Sequence, residues 1–160
     1  MINEYIEDLM RNPLQELIIP AENVATVRKE NTLLHVLMLL QNIGYSSIPV
    51  VDNELKLQGV IRIDDIIKGV IDEVNFNWEL LSEKRVGEVL SKDHSVVGEQ
   101  PELEDILHSL VDHNYVNVVD EDGVFRGIIT RKSMFKRINY VVHELDNCLQ
   151  IEPLGQPANC

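Results

Sequence analysis

The sequence has little cysteine, no long apolar run and few basic residues. Its two cysteines, Cys148 and Cys160, stand near the C-terminus and are too few for a disulfide framework or a zinc site. No apolar stretch approaches the length of a transmembrane helix, about 18 residues, and no secretory signal opens the chain. We therefore expect a cytoplasmic protein with reduced thiols that makes no contact with a membrane.

Basic side chains are outnumbered, with 14 lysines and arginines against 27 aspartates and glutamates, which gives a formal net charge of −13. DNA-binding and RNA-binding proteins need a broad basic face, so we expect no DNA or RNA partner. A small anionic ligand needs only a local basic pocket and is compatible with this charge. The apolar fraction of 44% over 160 residues is enough for one domain, or for two small halves that share an interior.

Two stretches of the sequence resemble each other at a fixed spacing. Gly44–Asp52 (Gly-Tyr-Ser-Ser-Ile-Pro-Val-Val-Asp) precedes Gly59–Arg62, and Asn114–Asp120 (Asn-Tyr-Val-Asn-Val-Val-Asp) precedes Gly127–Thr130. The interval between the final aspartates of the two copies equals the interval between their glycines, and we call it the repeat interval. A period this long with only two copies indicates a duplicated half-domain.

Each copy has the order strand, helix, strand, strand, helix. Apolar residues at i, i+3, i+4 and i+7 predict the first helix, and they recur after a slightly longer interval, so the second copy has lost two residues after this helix. In the first copy the predicted elements are a strand at Val24–Val27, a helix over Leu33–Leu40 with Thr32 as N-cap, strands at Ser47–Val51 and Leu57–Ile61, and a helix opened by Asp64 or Asp65.

Neither half has enough apolar surface to fold alone, so we expect the two to pack on each other. Helical segments interrupted at Pro13 precede the first copy and extend to Ile18, and a long helix starts near Arg131. The expected boundaries are an N-terminal helical segment at 1–13, repeat 1 at 14–72, a connector at 73–84, repeat 2 at 85–147 and a frayed tail at 148–160.

The two motifs, each within a strand-helix-strand-strand-helix repeat, are similar to those of cystathionine-β-synthase (CBS) domains. Two such repeats in tandem form a Bateman module, so the resemblance implies an α/β (α+β) fold with a pseudo-twofold axis. It covers about residues 14–145 and leaves no room for a catalytic domain. Glu22–Ala25, Gly44-Tyr45 and Gly127–Lys132 most resemble the stand-alone CBS-pair proteins of Gram-positive bacteria that bind cyclic di-AMP.

The resemblance implies ligand clefts where the halves meet. The first cleft takes Asn23, Ala25, Tyr45, Ser46, Ser47 and Ile48 from repeat 1 and Thr130, Arg131, Lys132 and Ser133 from repeat 2. A helix start after Thr130 offers unpaired N–H groups to a phosphate, and the two basic residues add charge. Basic side chains in a first turn oppose the helix dipole, which favours an anion over a merely solvated turn.

One departure from the family pattern bears on the ligand. CBS sites for AMP or ATP commonly carry an aspartate three residues after the threonine, where it binds the ribose cis-diol, and this chain has Ser133 there. A 3′,5′-cyclic dinucleotide has no free cis-diol, so the loss costs it little. The sequence therefore favours cyclic di-AMP, with AMP, ADP or ATP as the alternative.

The second cleft would use the mirror-related residues and is expected to be poorer. Its members are Arg62, Asp65, Ser95, Tyr115 and Val116. Asp65 keeps the ribose position, but two acidic residues at that helix start repel phosphate, and helix capping is the better interpretation of both.

The predicted protein is a non-enzymatic nucleotide sensor without cofactor or metal. It forms a homodimer and controls a partner protein by population shift. The resemblance suggests a Rel-type (p)ppGpp synthetase among possible partners. A CBS pair that serves only as a ligand-free dimerisation scaffold is the alternative from another class.

Overall fold

The structure, a computed structural model, describes residues 4–11, 17–71 and 75–149. The predicted break at Pro13, most of the predicted tail and the first two residues of the connector fall outside these residues. The helices are α1 (Glu4–Arg11), α2 (Leu33–Ile43), α3 (Ile63–Val70), α4 (Leu80–Glu83), α5 (Val86–Val89), α6 (Leu103–Asp112) and α7 (Arg131–Leu149). The strands are β1 (Ile18–Pro20), β2 (Ser47–Val51), β3 (Leu57–Arg62), β4 (Val96–Val97), β5 (Tyr115–Val119) and β6 (Phe125–Thr130).

Elements with strong local signals form where the sequence predicts them. Strand β2 has the predicted bounds, and α2 begins after Thr32, whose hydroxyl accepts the N–H of His35 at 3.2 Å. Helix α7 begins at Arg131 as predicted, and α3 begins one residue before Asp64. The α+β fold class with two tandem repeats is confirmed.

The lead-in to repeat 1 differs from the prediction in two places. Ile18 lies in a strand rather than a helix, because β1 pairs antiparallel with β6 and buries its isoleucines against those of repeat 2. The predicted strand at Val24–Val27 is reduced to a bridge at Val27, which bonds on both sides of Val50. The 3₁₀ turn over residues 21–23 reverses the chain, so only Val27 comes into register with β2.

The two sheets are a four-stranded sheet of order β1-β6-β5-β4 and the two-stranded β2-β3. Each repeat completes its core with residues from the segment that leads into the first long helix of the other repeat. Leu81 of α4 and Val86 of α5 pack among the helices of repeat 1. Met10 of α1 and Leu17 pack among α6, α7 and the sheet of repeat 2. The halves are therefore interlocked.

A pseudo-twofold axis passes between the repeats, since three contacts join residues that are one repeat interval apart. Side chains bond from Ser46 to Asn114 and from Ser47 to Tyr115, and the backbones of Lys56 and Val124 form a bridge. Residues one repeat interval apart are related by this axis, so a direct contact between two of them lies at the axis.

Each repeated glycine lies where another segment of backbone passes close to its strand, at Ser91 for Gly59 and at Ile19 for Gly127. Gly59 has φ +151° and Gly127 has φ +153°, values that favour glycine. A Cβ at Gly59 would lie 2.6 Å from the carbonyl oxygen of Ser91, and one at Gly127 would overlap that of Ile19. Close backbone approach explains the glycine in both motifs.

Candidate functional site

The junction at the axis brings the predicted walls of the two clefts into contact. Ser46 Oγ accepts a hydrogen bond from Asn114 Nδ2 at 3.3 Å, and Ser47 Oγ lies 3.2 Å from the Tyr115 hydroxyl. Burial raises the pKa of Tyr115 to about 12, although the bond with Ser47 acts against the shift. The phenol therefore keeps its proton at neutral pH and holds the repeats together as a neutral hydrogen-bonding group.

The start of α7 lies against this junction. The N–H of Arg131 donates to Asn114 O at 3.0 Å, so Thr130 and Arg131 lie on the same side of the molecule as Ser46. Thr130 and Ser133 cap each other: Thr130 Oγ1 accepts the N–H of Ser133 at 3.0 Å, and Ser133 Oγ accepts the N–H of Thr130 at 3.1 Å. The N–H groups of Arg131 and Ser133 are thus bonded, whereas that of Lys132 has no partner among the described residues.

The arginine of this turn is engaged elsewhere. Arg131 donates from Nε to Leu110 O at 2.6 Å and from Nη2 to Val111 O at 2.7 Å, at the end of α6. The sequence predicts this side chain as a ligand-binding group, and its bonds to α6 carry no local signal there. The exposed Lys132 carries the first-turn charge that is free of such bonds.

The remaining predicted residues of this side belong to repeat 1. Tyr45 is 49% exposed and Ser46 is exposed. Asn23 and Ala25 lie on the segment between β1, which pairs with β6, and Val27, which pairs with β2. The side chain of Ile48 is fully buried in the hydrophobic core of repeat 1, so it supports the strand without being accessible to a ligand. We call the predicted first cleft, with Asn23, Ala25, Tyr45–Ser47 and Thr130–Ser133 as its expected lining, the α7-side cleft.

A cavity of about 510 Å³ opens at the junction, at the predicted second cleft, and shares Ser46 and Ser47 with the predicted first cleft. Arg62, Ser95 and Tyr115 line it as predicted, whereas Val116 is buried in the second core and Asp65 Oδ2 accepts the N–H of Arg62 at 3.0 Å as a helix cap. The other lining residues are Ser46, Ser47, Val60, Asp93, His94, Asp112, His113, Asn114 and Asn117.

Two opposite charges of this cavity, Arg62 and Asp93, form an ion pair. Arg62 donates to Ser91 Oγ at 3.0 Å and to the carbonyl of Asp93, and it lies 3.5 Å from the Asp93 carboxylate. Burial lowers the pKa of His94, with the positive charge of Arg62 acting in the same direction. Residues 93–95 carry no periodic signal in the sequence, and the one available hint was Asn117, a buried polar residue where repeat 1 has Pro49.

The two pseudo-equivalent helix starts have opposite charge. Helix α3 carries Asp64 and Asp65 in its first turn. At the positions one repeat interval later, α7 carries Lys132 and Ser133, and its first two turns hold four basic and no acidic side chains. Since a helix N-terminus already attracts anions, the α7 start is the better phosphate site of the two.

Comparisons with known proteins agree with this architecture. The family model described as "CBS domain" matches residues 6–72 and 86–140. The chain is 27% identical to cyclic di-AMP receptor B of Bacillus subtilis over 146 residues, which cover 91% of this chain and 99% of that protein. Among the described residues, no helix has the length and hydropathy that a membrane crossing needs.

Two solved structures are similar over most of both chains. CbpB from Streptococcus agalactiae matches with a TM-score of 0.80 and 33% identity, over 95% of this chain and 96% of that one. Listeria monocytogenes CbpB in complex with cyclic di-AMP matches with a TM-score of 0.75 and 39% identity, over 82% and 98%. The chain therefore belongs to the CBS domain family, as a tandem pair similar to CbpB.

Proposed function

We propose that this CBS pair is a non-enzymatic sensor that binds cyclic di-AMP in the α7-side cleft and thereby controls a partner protein. The observation that carries the proposal is the charge difference between the starts of α3 and α7. A ligand with two phosphates is stabilised where cations and helix N–H groups meet, and the first turn of α7 carries no acidic residue whereas that of α3 carries two.

Each wall of the α7-side cleft suits one part of the ligand. The Lys132 ammonium and its backbone N–H face the phosphates, and the exposed ring of Tyr45 offers a surface for an adenine. Backbone groups of the small residues Ala25 and Ser46 leave room for the base and can bond to its edge. Ser133 is occupied with Thr130, so its hydroxyl caps the helix rather than binding a ribose.

The relatives support this choice of ligand. One is a cyclic di-AMP receptor and another was crystallised with cyclic di-AMP bound, and both match this chain across nearly their full lengths. The family is regulatory rather than catalytic. Control of a partner, for which the resemblance suggests a Rel-type (p)ppGpp synthetase, and a cytoplasmic location are parts of the proposal that binding experiments leave open.

The outer helix faces support a homodimer as the acting form. Large apolar side chains remain exposed on corresponding faces of both repeats, and Ile67 and Phe135, which are one repeat interval apart, occupy the same place in each. The exposed set on these helices is Leu34, Met38, Ile67, Val111, Phe135, Tyr140 and Val142. A second copy of the chain would cover a continuous face of this kind.

Isothermal titration calorimetry with cyclic di-AMP, AMP and ATP tests the proposal. We expect cyclic di-AMP to bind more tightly than both mononucleotides. Lys132→Ala should weaken cyclic di-AMP by about tenfold, the lower end of a charged hydrogen bond because the side chain is exposed.

Lys136→Ala is the matched control, because it removes the same charge about 6 Å further along the same helix face. It should change the affinity by less than about threefold. Tighter binding of AMP or ATP would identify a mononucleotide sensor instead. No binding of any of the three nucleotides would favour a ligand-free dimerisation scaffold.

A further inference from the structure

Arg131 makes three hydrogen bonds to residues 110–114, which form the last turn of α6 and the connection to β5. Its guanidinium donates to the carbonyls of Leu110 and Val111 at 2.6 and 2.7 Å, and its backbone N–H donates to Asn114 O at 3.0 Å. The carbonyl end of a helix carries partial negative charge, so a cation is well placed there. One residue at the start of α7 therefore holds both ends of this segment.

Repeat 1 closes the corresponding segment in another way. The N–H of Ile63 donates to Ser46 O at 3.0 Å, which matches the backbone bond of Arg131. However, α2 ends at Gly44 in the left-handed conformation with φ +71°, and the Gly44 N–H donates to Leu40 O. Glycine is the usual residue for such an ending, and it needs no side chain from elsewhere.

Helix α6 has no such glycine. It ends at His113 with extended backbone, φ −115°, and the second repeat is two residues shorter here. The side chain of Arg131 supplies the bonds to the last carbonyls that a glycine-closed turn would satisfy within its own backbone.

The segment held by Arg131 carries the junction between the repeats. Asn114 bonds to Ser46, and the next residue, Tyr115, bonds to Ser47. The order of this segment thus bears on how repeat 2 meets repeat 1, and Arg131 is bonded directly to it.

The guanidinium keeps donors for a further partner. It uses Nε and Nη2 on the two carbonyls, which leaves Nη1 and the second N–H of Nη2. An anion bonded at that free edge would restrict the motion of the side chain while both carbonyl bonds stay in place.

We propose that Arg131 couples the α7-side cleft to the inter-repeat junction: a ligand phosphate on its free edge fixes the segment 110–115 and with it the bonds to Ser46 and Ser47. This inference rests on the proposed function and adds how binding is transmitted. In this proposal Arg131 is a positioning residue, whereas Lys132 acts on the ligand alone.

Hydrogen–deuterium exchange with and without saturating cyclic di-AMP tests the coupling. In the native protein, the ligand should slow exchange of amides in 110–115 by at least about fivefold, the lower end of ordinary coupling between sites. Residues 40–44, closed by glycine, serve as the internal control and should change by less than about twofold.

Two variants separate coupling from affinity. Arg131→Lys keeps a positive charge but lacks the planar pair of donor edges, so at saturating ligand the slowing at 110–115 should be lost. Lys132→Ala, at concentrations that restore saturation, should keep it. Full slowing in Arg131→Lys, no slowing in the native protein, or loss of slowing in Lys132→Ala would each overturn the coupling.

Failure of the proposed function is recognised separately. If the native protein shows no heat of binding with cyclic di-AMP, that function and the phosphate step fall together. The role of Arg131 in holding residues 110–115 can then still be tested without ligand, by comparing Arg131→Lys with the native protein. The variant should exchange faster at 110–115 and at the native rate at 40–44. Native exchange rates at 110–115 in the variant would show that Arg131 does not hold the segment.

Discussion

Replacing Ser133 with aspartate should shift the ligand preference from cyclic di-AMP towards AMP without harming the fold. Repeat 1 already contains the substituted arrangement, since Asp65, one repeat interval earlier, accepts the N–H of Arg62 at 3.0 Å. Ser133 Oγ accepts the N–H of Thr130 at 3.1 Å, a role that a carboxylate oxygen can take over. The new charge gains about 0.3–1 kcal/mol from the helix dipole, which offsets the bond that Ser133 Oγ donates to Thr130 O. The free energy of unfolding should therefore change by less than about 1 kcal/mol.

The effect on binding follows from charge. A carboxylate about 7 Å from a ligand phosphate costs about 0.6 kcal/mol at the dielectric constant of water and about 2.4 kcal/mol at an effective value of 20. We expect cyclic di-AMP to bind about tenfold more weakly. AMP pays the same repulsion but gains a charged contact to its cis-diol, worth about 1.5–3 kcal/mol, so its affinity should stay equal or rise.

Calorimetry of the native protein, Ser133→Asp and Ser133→Ala measures these affinities, with thermal unfolding run in parallel. Ser133→Ala loses the cap without adding charge, so its stability should fall by about 1 kcal/mol while its affinity for cyclic di-AMP changes by less than about threefold. An unchanged ratio of cyclic di-AMP to AMP affinity in Ser133→Asp would refute the reasoning about this position.

Two further predictions concern stability. Gly127→Ala should lower the free energy of unfolding, measured in urea, by about 3 kcal/mol or more, or prevent folding, because its Cβ would overlap the Ile19 carbonyl. Gly98→Ala, whose Cβ meets open space, should change it by less than about 0.5 kcal/mol. Equal losses in the two variants would contradict this account. Burial lowers the folded-state pKa of His94 below that of the unfolded chain, so the unfolded state takes up a proton first as the pH falls below about 6.5 and stability drops. His94→Gln should lose less stability between pH 7.5 and 5.5 than the native protein, and an equal loss would show that His94 does not contribute.

Local signals in the sequence predicted much of the fold. A capping threonine with a helical apolar stripe located α2, and an apolar run bounded by turn residues located β2. Such signals are contained within a few residues. The strand at Ile18–Pro20 was missed because its partner is β6, which comes far later in the chain, and only that pairing decides between strand and helix.

The sequence suggested residues for the site but not which of them contact one another. Ser47 and Tyr115 were assigned to different clefts, yet they bond to each other because both lie at the pseudo-twofold axis. The equal spacing of the two motifs contained this information, since equivalent residues of a twofold pair meet only at the axis. The bonds of Arg131 to α6 were not predictable, because they depend on how that helix ends in space.

The interlocked cores limit how this chain can be divided. A cut between α3 and α4 would separate the two sequence repeats, but each fragment would keep a piece of the other's interior, Met10 on one side and Leu81 on the other. Neither fragment would be a self-sufficient folding unit, whereas the two mixed together could reassemble by complementation. The duplication visible in the sequence is therefore not a division into independent parts, because a substitution at Met10 would disturb the core of repeat 2.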